Sequence, residues 1–393
     1  MNRKKASRPC GGAMIRARAG ARRAPSAAGP GMRAVSRAIQ AHIDAKEVSG
    51  AVALAATPGG VIYFDALGLA DIARNIPMSG DTIFWIASMT KPVTACAIMM
   101  LQDEGRLSIS DPASKYLPEL ANLRAAGGNP CKPSIKHLLT HTSGMAEATE
   151  EEFRAARAPA DLIPHYASKP VQFEPGTRWQ YCQSGIISLG RIVEVVSGRP
   201  FQEFLSERLF EPLGMKDTTF YPDKAQRARI AVSYKLADGK LEENRVYSVY
   251  DYKLGKDRVP APNAGLYSTA PDYGRFCRML LNAGRFGRRQ YLTPSAVAAM
   301  STLQTGTLKT GFTEGNGWGL GCGLVRHPQG PTAALSPGTF GHGGAYGTQG
   351  WIDPVKQVVY VLMVQRTNYP NGDASDLRRN FQAAVAETLN PAS

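Results

Sequence analysis

No pair of cysteines in this sequence has C-x-x-C spacing, and no apolar run is long enough to cross a membrane. The six cysteines are widely scattered, at Cys10, Cys96, Cys131, Cys182, Cys277 and Cys322. Neither a zinc site nor a disulfide framework is therefore indicated. The longest apolar runs fall far short of the roughly 20 residues that a transmembrane helix needs. We expect no membrane partner and take the cytoplasm as the default location.

Acidic residues are missing from residues 1–33, which carry nine basic side chains. Since the formal net charge is +14, the rest of the chain carries only +5. Residues 1–31 are rich in Ala, Gly, Pro and Arg and lack a secretory apolar segment, so we predict a disordered basic tail. A transit-like or polyanion-binding role, or an over-long start ahead of Met14 or Met32, stays open. The tail has no aromatic residue to stack on bases, so we expect no nucleic-acid partner.

The residues from 32 to 393 suffice for one large domain or two closely packed lobes. Strand patterns lie at both ends and helical patterns in the middle. Two strands from the start and three from the end predict one antiparallel sheet flanked by the N- and C-terminal helices, an α+β fold. Its α/β lobe would span about 32–85 and 300–393, and a mainly helical lobe about 86–299, with a cleft between them. The predicted elements are helices at 32–47, 184–197, 201–210, 271–283 and 374–389, strands at 51–57, 61–69, 317–326, 338–352 and 357–366, and loops over 216–262.

An S-x-x-K motif, Ser88 to Lys91, ends an apolar segment. Pro92 lacks an N–H and sits most easily near a helix start, so we predict that a helix begins at about Ser88 or Met89. Ser88 then lies at the positive end of the helix dipole, and Lys91 shares its face. A lysine can take the proton of a serine only when it is neutral, which burial between apolar flanks favours. Alone the motif is weak, because surface helices often contain it by chance.

Four further motifs accompany Ser88-Met89-Thr90-Lys91. They are Leu138-Leu139-Thr140-His141-Thr142-Ser143-Gly144, Tyr181-Cys182-Gln183 after Phe173-Glu174-Pro175-Gly176, Gly265-Leu266-Tyr267-Ser268-Thr269 with Asp272, and Gly341-His342-Gly343-Gly344. In this order the motifs make the chain resemble the serine β-lactamase-like superfamily, specifically its branch of class C β-lactamases and family VIII carboxylesterases. The resemblance covers about residues 35–390 and implies a β-lactamase/transpeptidase-like fold.

The resemblance also implies roles for individual residues. Ser88 is the acylated nucleophile and Lys91 its proton acceptor. Tyr181 matches the tyrosine of the Y-x-N element, which passes the proton to the leaving group and helps to activate the deacylating water. The backbone N–H groups of Ser88 and Ala345 form the oxyanion hole, and such donors stabilise the transition state by several kcal/mol.

Two positions depart from the family pattern. Gln183 stands where the family usually has asparagine, which puts its role in positioning substrate in doubt. The Lys-Thr-Gly strand of β-lactamases is replaced by His342, Gly343 and Gly344, which we expect to contact substrate. The sequence thus offers neither the cation nor the hydroxyl that bind the carboxylate of a lactam, since a histidine is mostly neutral near pH 7.

Other chemistries are less well supported by the sequence. His137 and His141 have the i, i+4 spacing of metal ligands, but no glutamate follows His137 as H-E-x-x-H requires. We therefore expect no metal and no cofactor. No G-x-S-x-G elbow occurs, which argues against a triad that uses His342.

We predict a serine hydrolase that acts through an acyl-enzyme, a carboxylesterase on short-chain esters, with a small-molecule ester as its partner. A β-lactamase or a D-Ala-D-Ala-type peptidase is the first alternative. A non-catalytic binding protein on this fold is the second, and the oligomeric state stays open.

Overall fold

A computed structural model describes residues 30–125, 127–244, 255–369 and 374–389. The predicted basic tail, residues 1–31, lies outside these ranges except for its last two residues. Fifteen strands occur in the described ranges: β1 (Gly50–Thr57), β2 (Gly60–Asp71), β3 (Ile76–Pro77), β4 (Phe84–Trp85), β5 (Tyr234–Ala237), β6 (Lys240–Glu243), β7 (Tyr267–Ser268), β8 (Arg285–Phe286), β9 (Arg289–Gln290), β10 (Asn316–Trp318), β11 (Gly323–Val325), β12 (Phe340–Gly343), β13 (Gln349–Asp353), β14 (Val358–Met363) and β15 (Arg366–Thr367).

The helices of the same ranges are concentrated between β4 and β10. They are α1 (Pro30–Asp44), α2 (Thr90–Asp103), α3 (Ile135–Leu139), α4 (Glu150–Ala155), α5 (Pro159–Ala167), α6 (Gln183–Ser197), α7 (Phe201–Leu205), α8 (Glu211–Leu213), α9 (Lys224–Arg227), α10 (Ala270–Leu281), α11 (Pro294–Ser301) and α12 (Asp376–Leu389). A π-helical turn, Ser206–Phe210, joins α7 to α8, so the predicted helix 201–210 is not regular throughout. In the described residues, no helix is both long and apolar enough to cross a bilayer.

The main sheet has eight strands in the order β10-β11-β12-β13-β14-β1-β2-β3. Neighbouring strands are antiparallel, and the first strand of the chain pairs with β14, with Val52 opposite Met363. Every residue of β14 is buried, as its unbroken apolar run predicts. The sheet confirms the α+β fold, with more strands than predicted.

Two of the three extra strands arise where a predicted long strand turns back on itself, and the third is the short β3. The segment 317–326 forms the hairpin β10–β11, and 338–352 forms β12–β13. Gly321 and Gly347 lie in the two connections with φ values of 71° and 85°, a region that favours glycine. The alternating pattern identified the strands, and these glycines mark where each pattern had to be divided.

The terminal helices cover one face of the sheet, as the sequence predicted. Val35 and Ile39 of α1 join Leu377 and Phe381 of α12 in one buried cluster with the sheet. A larger apolar cluster on the other face includes residues of α2, α6 and α10. The start of α2 is thus held between the sheet and the helical region.

The segment 216–262 differs from the loops that its weak periodicity predicted. Strands β5 and β6 form a hairpin, and β5 pairs in parallel with β15, with Tyr234 opposite Arg366. Both strands are only four residues long, and β6 is mostly polar, so their pattern does not stand out from that of a loop. Residues 245–254 lie outside the described ranges.

Candidate active site

Ser88 lies in a short 3₁₀ turn, Ala87–Met89, that leads directly into α2. The predicted helix start was therefore correct to within two residues. Ala87 has a φ of 45°, which costs a residue with a side chain on the order of 1–3 kcal/mol. Helix α2 begins directly behind this turn, and the amides at the start of a helix lack intrahelical partners.

Three hydrogen bonds hold this turn in place. The N–H of Ile86 donates to the carbonyl oxygen of Leu266 at 3.0 Å, beside the pairing of β4 with β7. The buried hydroxyl of Thr90 donates to the carbonyl oxygen of Ala87 at 2.7 Å and accepts from the N–H of Leu266. The Gly265–Thr269 motif of the sequence therefore supports the backbone ahead of Ser88, which spacing alone did not reveal.

Lys91 contacts Ser88 directly. Its Nζ lies 3.0 Å from the Ser88 Oγ and donates to the backbone oxygen of Asn263 at 2.9 Å. The side chain is fully buried, and this burial lowers the pKa of Lys91 to about 7. The negative charge of Glu147 opposes this shift. A substantial fraction of Lys91 is therefore neutral near pH 7 and able to accept the serine proton.

Tyr181 and His342 complete the cluster. The Nζ of Lys91 lies 4.6 Å from the centroid of the Tyr181 ring, and the Tyr181 hydroxyl lies 3.2 Å from Nε2 of His342. Since Nδ1 of His342 is 2.6 Å from the carbonyl oxygen of Gly343, it carries the hydrogen, and Nε2 accepts from Tyr181. Burial, with Lys91 nearby, lowers the pKa of His342 to about 3. His342 is thus a neutral acceptor and not a cation.

The end of β12 meets the serine turn through Gly344. A Cβ atom on Gly344 would lie 2.6 Å from the carbonyl oxygen of Ile86 and closer still to Thr348. Only glycine permits this approach. Ala345 follows it and is exposed, and the backbone hydrogen bonds of the described residues include none donated by its N–H. The predicted oxyanion donor Ala345 thus follows directly the residue that contacts the serine turn.

Gln183 reaches the lysine through an intermediate residue. It is the first residue of α6, and its Oε1 accepts from the side-chain amide of Asn263 at 2.8 Å. Its N–H donates to Glu147 Oε1 at 2.5 Å, and the N–H of Ser184 donates to Oε2 of the same carboxylate. The sequence did not indicate roles for Asn263 or Glu147. Their only signal is position, two residues before Gly265 and three after Gly144.

The two histidines considered as metal ligands have structural roles here. His137 Nδ1 accepts from the N–H of Ser134 and caps α3. His141 Nδ1 accepts from the N–H of Cys182 at 3.1 Å, and its ring lies 4.5 Å from that of Tyr181. Burial holds the pKa of His141 well below its usual value. Within the described ranges, no three histidine, cysteine or carboxylate side chains are grouped to hold a metal.

Three further aromatic residues surround Tyr181 and were not singled out from the sequence. The ring of Phe312 lies 4.9 Å from that of Tyr181 between centroids, Trp318 lies 6.0 Å away and Trp179 lies 6.2 Å away. Trp318 is buried, whereas Phe312 is 49% exposed. Trp85 and Tyr267, which are paired between β4 and β7, are both buried.

The chain is similar to several known proteins. The family described as Beta-lactamase matches residues 35–385. An uncharacterized protein of Mycobacterium tuberculosis is 33% identical over 87% of this chain and 90% of its own length. Esterase EstB of Burkholderia gladioli is 32% identical over 82% of this chain and 87% of its own length. The solved structure of EstCE1, described as a hydrolase with promiscuous acyltransferase activity, has a TM-score of 0.76 at 24% identity and covers 90% of this chain and 98% of its own.

Proposed function

The chain belongs to the beta-lactamase family, and from this premise we propose that it is a serine carboxylesterase that cleaves short-chain esters through an acyl-enzyme. The observation that carries the proposal is the 3.0 Å contact between the Ser88 Oγ and the buried Nζ of Lys91. A lysine whose pKa is lowered to about 7 supplies the base that an unactivated serine lacks. The likeness to Esterase EstB supports the reaction class.

In the proposed acylation step, the Ser88 Oγ attacks the carbonyl carbon of the ester while its proton passes to Lys91 Nζ. The N–H groups of Ser88 and Ala345 stabilise the negative charge on the carbonyl oxygen. The bond to the alcohol oxygen then breaks. Tyr181 donates its hydroxyl proton to that oxygen and regains a proton from Lys91, whose Nζ lies against the Tyr181 ring.

Deacylation uses the same groups in reverse. A water molecule attacks the acyl carbon and passes its proton toward Tyr181 and Lys91. The second tetrahedral intermediate collapses by breaking the bond to Ser88, whose Oγ receives a proton as the acid leaves. Because His342 is neutral and accepts a hydrogen bond from Tyr181, it holds the Tyr181 hydroxyl in position without adding a positive charge beside it.

We expect an ester to be preferred over a β-lactam because β12 lacks a cation and a hydroxyl that could bind a carboxylate. A neutral His342 and a glycine at 343 offer neither a cation nor a hydroxyl to a substrate carboxylate. A lost charge-assisted hydrogen bond costs roughly 1.5–3 kcal/mol, or tenfold to more than a hundredfold in binding. A neutral ester does not need that contact, and an alkoxide leaves more readily than an amine.

A substrate panel tests the proposal. Nitrophenyl esters of graded acyl length and a chromogenic cephalosporin are assayed with the wild-type protein, Ser88→Ala and the exposed control Ser110→Ala. Ester turnover that disappears only in Ser88→Ala supports the proposal. Efficient cephalosporin hydrolysis with negligible ester cleavage overturns it in favour of the β-lactamase alternative. Inactivity toward both classes of substrate by a folded protein favours a non-catalytic binding role.

A further inference from the structure

An exposed aromatic ring borders the proposed catalytic tyrosine. Phe312 belongs to the segment between α11 and β10, and 49% of it is open to solvent. Its ring stands edge-on to Tyr181, with 4.9 Å between centroids, and edge-on to Trp179 at 6.0 Å. Most large apolar side chains of the described residues are buried, so an exposed one beside a reacting group offers surface for a ligand to cover.

The space beside Phe312 limits where a substrate can lie. A cavity of only about 10 Å³ lies between Phe312, Trp318 and the β12 residues His342 and Gly343, with room for about one water molecule. The Tyr181 hydroxyl is hydrogen-bonded to His342, which lines this cavity together with Phe312. A ligand larger than water must therefore lie over the open face of Phe312 and not behind it.

We infer that Phe312 and Trp179, the aromatic platform, bind the alcohol part of the ester and select substrates whose alcohol carries an aromatic ring. The inference rests on the proposed function, in which the Tyr181 hydroxyl protonates the leaving alcohol oxygen. A ring attached one carbon from that oxygen reaches the platform while the oxygen stays near Tyr181. The acyl group lies on the other side of the reacting carbon and does not contact the platform.

The preference for an aromatic alcohol would come from burial of apolar surface and from contact between aromatic rings. Covering Phe312 removes apolar surface from water, and aromatic pairs in edge-to-face or offset arrangements gain more than their area alone. We expect benzyl esters to be preferred over propyl esters by about tenfold in kcat/KM, since one aromatic contact is worth about that factor in binding. Benzyl and propyl alcohols are similar as leaving groups, so the ratio reports contact and not reactivity.

The first experiment measures selectivity. The kcat/KM ratio of benzyl acetate to propyl acetate is determined for the wild-type protein, Phe312→Ala, Phe312→Leu and the control Val355→Ala, which alters an exposed apolar side chain elsewhere. We expect the ratio to fall to near one in Phe312→Ala, to fall partly in Phe312→Leu and to persist in the control. The ratio of ethyl phenylacetate to ethyl butyrate, which varies the acyl side, should not change. A benzyl ratio that survives Phe312→Ala, or an acyl-side ratio that falls with it, overturns the inference.

The second experiment needs no turnover. Benzyl alcohol binding to Ser88→Ala and to Ser88→Ala combined with Phe312→Ala is measured by ligand-observed NMR, with propanol as the reference probe. The inference requires that benzyl alcohol bind the first protein and lose at least about fivefold in affinity in the second. Equal binding to both refutes it, whatever the esterase assay gives. If the wild-type protein shows no ester turnover that depends on Ser88, while benzyl alcohol binding still depends on Phe312, the proposed function alone is refuted.

Discussion

The start of helix α2 and the end of strand β12 contribute different side chains to one site. At the start of α2, Ser88 and Lys91 keep the family pattern, and burial gives the lysine a pKa of about 7. At the end of β12, His342 and Gly343 replace a lysine and a threonine, while Gly344 keeps the close approach to the serine turn. The comparison separates two functions. The groups proposed to move protons and to hold the oxyanion lie together at the site, whereas His342 and Gly343 offer no cation and no hydroxyl for an anionic substrate.

The largest expected effect on kcat/KM comes from removing the groups proposed to transfer protons. Lys91→Ala and Tyr181→Phe should each lower kcat/KM for a nitrophenyl ester at least about a hundredfold, the scale of a lost acid–base group. His342→Ala should lower it much less, because His342 only accepts a hydrogen bond from Tyr181. Steady-state kinetics with near-ultraviolet circular dichroism as a folding check decide the matter. An indispensable His342 with a dispensable Lys91 would require a different mechanism.

Introducing a cation and a hydroxyl at the end of β12 should change the preference between esters and β-lactams. In the wild-type protein we expect kcat/KM for short-chain esters to exceed that for any penicillin or cephalosporin by at least about a hundredfold. The pair His342→Lys and Gly343→Thr supplies a cation and a hydroxyl, and should narrow this gap by at least about tenfold. The single change His342→Gln, which adds no charge, is the matched control. A folded double variant whose gap stays as wide would mean that β12 does not set substrate class.

The pH profile tests the charge state of the α2 side. The active form of Lys91 is the neutral one, so kcat/KM should be constant above about pH 7 and fall about tenfold per unit below it. Glu147 raises the pKa of Lys91, and Glu147→Gln should therefore move this acid limb to lower pH. Glu150→Gln, three residues away on α4, should leave the limb in place. A limb that moves to higher pH in Glu147→Gln would contradict the assignment of Lys91 as the base.

The smallest effect concerns the strained turn. Ala87→Gly removes the side chain that disfavours a φ of 45° and should change the free energy of unfolding by at most about 1 kcal/mol, toward greater stability. Ala41→Gly, on the exposed face of α1, should instead lower it by about 1 kcal/mol. Urea unfolding of both variants measures the difference. If Ala87→Gly destabilises as much as Ala41→Gly, the turn is not strained.

The sequence predicted the parts of the fold whose residues carry a strong local pattern. The unbroken apolar run of β14 and the helical spacing of α6 and α10 predicted the ends of those elements to within three residues. The hairpin β5–β6 was missed because each of its strands is only four residues long and the partner strand β15 lies more than a hundred positions away. Pairing over such a distance leaves no periodic trace in a single sequence.

The candidate site was predictable only as far as its motifs extend. Ser88, Lys91, Tyr181 and His342 are close together as the resemblance implied. Asn263, Glu147 and Phe312 act through tertiary contacts with Lys91, Gln183 and Tyr181. An amide, a carboxylate and a phenyl ring are common in loops, so nothing in their spacing set them apart.

The central claim is that Ser88, activated by Lys91, forms the acyl-enzyme. The most direct measurement treats the native protein, the Lys91→Ala variant and heat-denatured protein with a fluorophosphonate and locates the adduct by peptide mass spectrometry. We predict one adduct on Ser88 in the native protein, with labelling slowed at least about a hundredfold in Lys91→Ala and absent after denaturation. An adduct on another residue, or a protein that hydrolyses esters while Ser88 stays unlabelled, would contradict the account.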